Sequence, residues 1–147
     1  MQIAERTTHG LEYLQRIVAG ESPDVPIGDL LGFRLVEVEK GRAVLAGTPD
    51  RRAYNLIGTV HGGWAASILD TAIALSTLST LDAEQTFTTV DIRINYLRPL
   101  TAETGEVRAE GRLLQSGRRL AYGEARLVDR NGKLLCHGTG SCLILPK

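Results

Sequence analysis

The longest hydrophobic segment of the chain lies near its middle and predicts one buried helix. From residue 63 to about residue 81, apolar side chains occur on nearly every side at helical spacing, and Asp70 is the only charged residue. A helix that is apolar all round must be enclosed by other parts of the protein. The chain has 147 residues, which suits one domain, so most of the remaining sequence has to supply that enclosure.

The sequence on both sides of this helix alternates between apolar and polar residues, which is typical of strands. The predicted strands cover 32–38, 42–48, 86–97, 105–115, 118–128 and 133–145. Short turns with Gly separate several neighbouring strands, and the Asn131-Gly132 pair is a strong hairpin signal, so the sheet is expected to be antiparallel. Such a sheet curled around one apolar helix buries it. The sequence therefore predicts an α+β fold with an antiparallel sheet wrapped around one long buried helix, and this order of elements resembles the hotdog fold.

The N-terminal part of the chain has a different pattern. Residues 7–20 carry apolar side chains at helical spacing and predict a short amphipathic helix. Residues 21–30 contain two prolines and a glycine and are interpreted as a connector. We therefore divide the chain into a helix with connector at 1–28 and a hotdog domain at 29–147.

Charge and composition narrow the classes of function. The 17 Lys and Arg residues balance 17 Asp and Glu residues, which argues against a nucleic-acid binder, because such proteins neutralise phosphates with excess positive charge. The N-terminal residues lack the apolar core of a secretory signal. The longest apolar stretch contains Asp70 and many hydroxyl side chains, which disfavours a membrane span. We expect a cytoplasmic protein with no nucleic-acid or membrane partner.

The two cysteines predict neither a disulfide nor a metal site. Cys136 and Cys142 lie six residues apart on one predicted strand, a separation of roughly 20 Å. A disulfide needs Cα atoms within about 7 Å. The sequence has no CxxC pair and no Cys/His spacing typical of zinc sites. We expect two buried, inert thiols and no bound metal.

The segment from His61 to Asp70 carries the candidate chemistry. A carboxylate in this helix either lies on an exposed stripe, pairs with an Arg, or has a function. Gly62 and Gly63 follow His61 at the helix start, where backbone N–H groups lack partners within the helix. Glycines let a ligand carbonyl approach those groups, which favours an oxyanion-type site. Gly62 and Asp70 are about 12 Å apart along a helix, so two chains of a dimer could each supply one of them.

A longer pattern surrounds this segment. It comprises Asn55-x-x-Gly58-x-x-His61-Gly62-Gly63, Asp70 nine residues after His61, Thr88-Thr89-Val90-Asp91, and Asn95-Tyr96-Leu97-Arg98-Pro99. Over about residues 30–145 the chain resembles the hotdog acyl-CoA thioesterases of the phenylacetate-degradation (PaaI-like) type. The resemblance implies hydrolysis of acyl-CoA to a free acid and CoA by a homodimer or homotetramer. It implies no separate cofactor, because CoA is part of the substrate.

The resemblance also implies catalytic roles for four of the matching residues. Asp70 would activate water or attack the thioester, and the backbone N–H of Gly62 would polarise the thioester carbonyl. Asn55 would help to polarise that carbonyl or hold the reacting group. Thr89 would position water, with Thr88 as the alternative if the intervening loop shifts the match by one residue. Strict alternation places Thr89 on the polar face of its strand, opposite the isoleucines, and this favours Thr89.

Further residues are candidates for binding the substrate. His61 would anchor its loop or flank the substrate, and Gly63 and Trp64 would contact the substrate at the helix start. The phosphates of CoA require cations, which Arg98, Arg118 or Arg119 could supply. The turn at Ser116 and Gly117 could offer backbone N–H groups to the same phosphates. The sequence does not distinguish aryl from alkyl acyl groups.

Two other functions fit the same fold. A non-catalytic acyl-CoA-binding or regulatory module would tolerate loss of the carboxylate, and here Asp70 is present. Hotdog hydratases share an Asp and a His about five residues apart on one segment, and this chain has no such pair. The thioesterase hypothesis is therefore favoured over these two alternatives.

Overall fold

An antiparallel sheet of six strands packs against one long helix in the computed structural model, which describes residues 8–147. The helices are α1 (Gly10–Val18), α2 (Pro26–Leu31) and α3 (Gly62–Leu78), and the strands are β1 (Phe33–Glu39), β2 (Arg42–Gly47), β3 (Gln85–Tyr96), β4 (Val107–Ser116), β5 (Leu120–Val128) and β6 (Leu134–Pro146). The strand order is β1-β2-β4-β5-β6-β3, so β1 and β3 form the two edges. This arrangement confirms the predicted sheet around one helix.

The helix α3 is buried against the sheet but is open along one side. Ile68, Leu69 and Ile73 are fully buried in the core. A second set of α3 residues is only half-buried, and its members are spaced at three or four residues, so that they form one stripe: Ala66, Ser67, Asp70 and Ala74. The predicted burial of the helix is therefore confirmed except along this stripe, and Asp70 lies on the stripe, one of the positions that the sequence left open for it. Within residues 8–147 no helix is long and apolar enough to span a membrane.

The N-terminal region contains a helix that the sequence analysis missed. Helix α1 is shorter than the predicted 7–20, and Leu14 and Ile17 on its buried face pack into the same core as α3. Helix α2 lies within the predicted connector and crosses the predicted division at 28/29. It begins at Pro26. Proline is well tolerated in the first turn of a helix, because the N–H that it lacks would have no partner within the helix.

The edge strand β3 contains a bulge at Val90. Thr89 and Asp91 pair with successive residues of β6, so Val90 between them is an extra residue. A bulge reverses the face that the following side chains occupy. Ile92 pairs with Gly140, which lies against α3, and Thr89 faces α3 as well. The predicted alternation, which put Thr89 and Ile92 on opposite faces, is therefore wrong.

Candidate active site

A cavity of about 320 Å³ opens at the N-terminal end of α3. Four of the predicted site residues line it, namely Asn55, His61, Gly62 and Arg98. Tyr96, the last residue of β3, lines it as well and was not among the candidates. The cavity therefore joins the loop before α3 to the end of the edge strand.

Gly62 presents an unused backbone N–H to this region. Within residues 8–147 that N–H has no hydrogen-bond partner, and it stands at the helix N-terminus, where the helix dipole is positive. The carbonyl oxygen of Gly62 accepts a bond from the Tyr96 hydroxyl at 2.8 Å. A Cβ on Gly62 would lie 2.9 Å from the Tyr96 hydroxyl oxygen. The missing side chain thus makes room for Tyr96, a role that the sequence did not indicate.

His61 caps α3 through its side chain. Its Nδ1 accepts a bond from the Gly63 N–H at 2.8 Å. The Gly63 N–H is therefore already used, and the predicted contact between Gly63 and the substrate cannot come from that group. Because Nδ1 accepts, the neutral imidazole carries its proton on Nε2. His61 is exposed beside the cavity, so its second ring nitrogen is accessible to a ligand.

Asn55 holds a tight loop in front of α3. Its Oδ1 accepts from the N–H groups of Ile57 and Thr59 at 3.0 and 3.2 Å, and its Nδ2 donates to the Thr59 hydroxyl at 2.9 Å. The amide has two N–H donors, and one of them is taken by Thr59. Asn55 is thus first of all an anchor of the loop, with one N–H left to act on a ligand.

Asp70 lies on the half-open stripe of α3 and contacts β3. Its Oδ1 accepts a hydrogen bond from the Thr89 hydroxyl at 2.9 Å. In the described part of the chain no Lys, Arg or His side chain lies within 4.0 Å of its carboxylate, so the interpretation of Asp70 as an ion-pair partner is wrong. Thr88 is exposed and points away, which leaves Thr89 as the contact.

The predicted catalytic residues form two groups within one chain. Asn55, His61 and Gly62 line the cavity, whereas Asp70 lies further along α3, where it contacts Thr89 of β3. Gly62 and Asp70 are eight residues apart, which corresponds to about 12 Å of helix. One small reacting group cannot touch both at once from the same chain.

Trp64 belongs to the core rather than to the cavity at Asn55. It is only 4% exposed, and its Nε1 donates to the carbonyl of Leu31 at 2.8 Å. Its ring meets Phe33 edge-on, with centroids 6.5 Å apart. Trp64 thus joins α3 to α2 and β1, and it lines a separate cavity of about 350 Å³ rather than the one at Asn55.

The turn between β4 and β5 lies away from the cavity. Ser116, Gly117 and Arg118 are all exposed, and none of them lines the cavity at Asn55. The Gly117 N–H donates to the carbonyl of Leu120 at 2.8 Å, so it is used by the turn itself. Arg98, in contrast, lines the cavity and donates to the carbonyl of Leu134 at 2.7 Å.

Both cysteines are buried on β6 and are not joined in a disulfide, as predicted. Burial raises the pKa of the Cys136 thiol to about 11 and also raises the pKa of Cys142. Cys142 pairs with Thr89 across the two strands. Raised pKa values favour the neutral thiol, which is a poor nucleophile.

Comparison with known proteins adds an independent line of evidence. Residues 57–136 match the family described as the thioesterase superfamily. The human acyl-coenzyme A thioesterase 13 is 31% identical over 108 residues, which cover 71% of this chain and 74% of that protein. The 1,4-dihydroxy-2-naphthoyl-CoA hydrolase of Listeria monocytogenes is 24% identical over 108 residues, covering 74% of this chain and 86% of the relative.

Solved structures show the same fold. A variant of the phenylacetic acid degradation protein PaaI from Thermus thermophilus superposes with a TM-score of 0.73 at 30% identity, covering 81% of this chain and 98% of that one. The PaaI protein of E. coli gives a TM-score of 0.78 at 20% identity, over 95% and 96% of the two chains. These likenesses confirm the predicted hotdog fold.

Proposed function

The chain belongs to the thioesterase superfamily and is a thioester hydrolase, and from that premise we propose that its substrates are acyl-CoA thioesters. Two relatives are named for activity on coenzyme A thioesters, which supports this substrate class. The observation that carries the proposal is Asp70, a carboxylate that has no cationic partner in the described part of the chain and is oriented by Thr89. A module that only binds acyl-CoA has no need of such a group.

Thioester hydrolysis requires few catalytic groups. Hydrolysis of a thioester expels a thiolate, and the pKa of the corresponding thiol is about 8.5. The leaving group therefore requires little protonation by a general acid. Asp70 either takes a proton from water as that water attacks the carbonyl carbon, or attacks the carbon itself and forms an anhydride that water then cleaves. In both routes the C–S bond breaks and the products are a carboxylic acid and CoA.

The N-terminus of α3 is suited to the developing negative charge on the carbonyl oxygen. The free N–H of Gly62 points from the positive end of the helix dipole, and donors of this kind stabilise an oxyanion. The remaining N–H of Asn55 and the accessible ring nitrogen of His61 lie at the same cavity and polarise or orient the substrate.

The separation of the two groups within one chain suggests a site shared between two chains. Asp70 of one protomer would act on a thioester whose carbonyl oxygen is held at Gly62 of its partner. The half-open stripe of α3 lies beside β3, an edge strand with exposed apolar residues, of which Val90 is 53% and Ile92 36% exposed. An unpaired edge strand of this kind pairs readily with a second copy. We therefore include a homodimer in the proposal, which can associate further into a tetramer.

The test is a panel of aryl-CoA and alkyl-CoA thioesters, with free thiol as the readout. We expect thiol release with at least one member and a fall in kcat of about 10²–10⁴-fold in Asp70→Asn. Asp29→Asn is the matched control, because Asp29 is an exposed carboxylate on α2 rather than on β3 and does not line the cavity at Asn55. Binding without thiol release would favour a non-catalytic acyl-CoA module. Full activity of Asp70→Asn would show that another group activates the water.

A further inference from the structure

A second cavity, of about 690 Å³, adjoins the cavity at Asn55. Arg98 and Pro99 line both cavities, so the two are neighbours at these residues. Arg130 and Lys133, from the turn between β5 and β6, line the second cavity on the other side. Three cationic side chains thus surround one space next to the proposed reaction site.

The acidic residues of the second cavity already have partners. Glu103 pairs with Arg51 at 3.2 Å. Oδ1 of Asp129 accepts from the backbone N–H groups of Asn131 and Lys133, both at 2.9 Å, and so holds the turn together. Neither carboxylate forms an ion pair with a cation of this cavity. The cations are therefore left to bind an anion from outside.

The three cations also lack carboxylate partners. Among residues 8–147, no Asp or Glu oxygen lies within 4.0 Å of the charged nitrogens of Arg98, Arg130 or Lys133. Within this part of the chain, the one bond of the Arg98 side chain goes from Nη1 to the backbone carbonyl of Leu134. This differs from the arginines on the outer face of β2 and β4, which form ion pairs with Glu37 and Glu110.

The guanidinium of Arg130 lies beside Gly105 at the second cavity. A Cβ on Gly105 would lie 2.9 Å from Nη2 of Arg130, and Gly105 has a φ of +74°, which strongly favours glycine. The backbone conformation and the missing side chain together leave the space in which the guanidinium lies.

We propose that Arg98, Arg130 and Lys133 bind the phosphate groups of the CoA half of the substrate. The inference rests on the proposed function and extends it to the leaving group. CoA carries its phosphates at the end remote from its thiol, and guanidinium and ammonium groups bind phosphate through charge-assisted hydrogen bonds. With the thioester at Gly62, Arg98 stands where the leaving group passes from the first cavity into the second.

This assignment keeps Arg98 from the sequence prediction but replaces Arg118, Arg119 and the turn at Ser116 and Gly117 with Arg130 and Lys133. The turn at Ser116–Arg118 does not adjoin the cavity at Asn55, and the Gly117 N–H is already bonded within the turn. Arg130 and Lys133 gave no signal in the sequence, because their proximity to Arg98 depends on the long-range pairing of β3 with β6. The two assignments make different predictions for substrate binding.

The test compares two substrates with the same acyl group, one on CoA and one on N-acetylcysteamine, a thiol that lacks phosphates. In the Arg130→Gln/Lys133→Gln variant we expect KM for the CoA thioester to rise by at least about fivefold, with kcat retained. Kinetics with the phosphate-free thioester should be unchanged. The matched control is Lys40→Gln/Arg126→Gln, which removes two exposed charges away from both cavities and should alter neither substrate.

Each other outcome is decisive. An unchanged KM for the CoA thioester, or an equal change with both substrates, overturns the phosphate site while the proposed function stands. A larger rise in KM for the CoA thioester in Arg118→Gln/Arg119→Gln assigns the phosphates to the turn between β4 and β5 instead. If the wild-type protein hydrolyses neither thioester, the proposed function fails and this inference fails with it.

Discussion

The Thr89 hydroxyl donates a hydrogen bond to Oδ1 of Asp70 at 2.9 Å, and this bond connects the edge strand to the central helix. It fixes the orientation of the carboxylate without neutralising its charge. The second oxygen, Oδ2, has no hydrogen-bond partner in the described part of the chain, and the side chain is only half-buried. Asp70 is thus held in position while one of its oxygens stays available for chemistry.

We predict that Thr89→Val lowers kcat by about tenfold, because the carboxylate loses the hydroxyl that orients it. Thr89→Ser keeps the hydroxyl and should retain most of the activity. Steady-state kinetics of thiol release measure both effects. Thr88→Val is the matched control, since Thr88 is the exposed neighbour on the other face of β3. Equal losses in the variants of Thr88 and Thr89 would contradict the role of the Thr89 bond.

The β3 bulge shows what the sequence can and cannot predict. The alternation of residues 86–97 correctly predicted a strand, and the choice of Thr89 agrees with the side chain that contacts Asp70. The reason given for that choice was wrong, because alternation assumes an unbroken period of two. The extra residue at Val90 arises from the pairing of β3 with β6, which lies far away in the sequence.

The same limit applies to the candidate site. The apolar helix, its N-terminal glycines and Asp70 follow from a local pattern, and the structure bears out their position on α3. Helix α2 was missed because its six residues are too few for a periodic signal. The contacts of Tyr96 with Gly62 and of Trp64 with Leu31 join distant segments, and no local rule predicts them.

The contact between Gly62 and Tyr96 gives a second prediction. In Gly62→Ala the new methyl group would lie 2.9 Å from the Tyr96 hydroxyl and ring, so the ring must move and the protein should lose both activity and stability. Tyr96→Phe keeps the ring and loses the hydroxyl bond, and its free energy of unfolding should fall by about 1 kcal/mol.

A double-mutant cycle checks the physical cause. Gly62→Ala in a Tyr96→Ala background meets no ring, so its effect on the free energy of unfolding should be smaller by about 1–2 kcal/mol than in the wild type. Urea denaturation measures all four proteins. Additive effects would mean that the missing side chain of Gly62 does not serve to accommodate Tyr96.

The buried thiols give a prediction about pH. Burial raises the pKa of Cys136 from 9.0 to about 11, so between these values the folded protein keeps a proton that the unfolded chain releases. The stability associated with the neutral thiol is complete below pH 9 and is lost as the pH rises towards 11. The slope of unfolding free energy against pH over this interval should therefore be less steep in Cys136→Ala than in the wild type.

Thiol labelling gives an independent check of the same burial. At pH 8 the folded protein should react with iodoacetamide much more slowly than the urea-unfolded chain, because reaction requires an exposed thiolate. Mass spectrometry of the labelled chain reads out each cysteine separately. Rapid labelling of Cys136 in the folded state would contradict the packing of β6 described above.

The shared site predicts that two inactive variants restore activity to each other. Asp70→Asn damages one half of the proposed site and Asn55→Ala the other half. In a mixed dimer both defects fall in one site, and the second site has wild-type residues from both chains. After unfolding and refolding of an equal mixture, we expect about a quarter of the wild-type activity, since about half of the dimers are mixed and each has one intact site.

The control for this experiment pairs two variants in the same half of the site. Asp70 and Thr89 belong to one chain, so a mixed dimer of Asp70→Asn with Thr89→Val has no intact site, and its activity should equal the mean of the two variants. Light scattering establishes the mass of each protein beforehand. If the mixture with Asn55→Ala also shows only the mean activity, or if a monomer is fully active, then one chain supplies all the groups. In that case the helix must bend or the loop that carries Asn55 must move towards Asp70 when substrate binds, because about 12 Å separates Gly62 from Asp70 along α3.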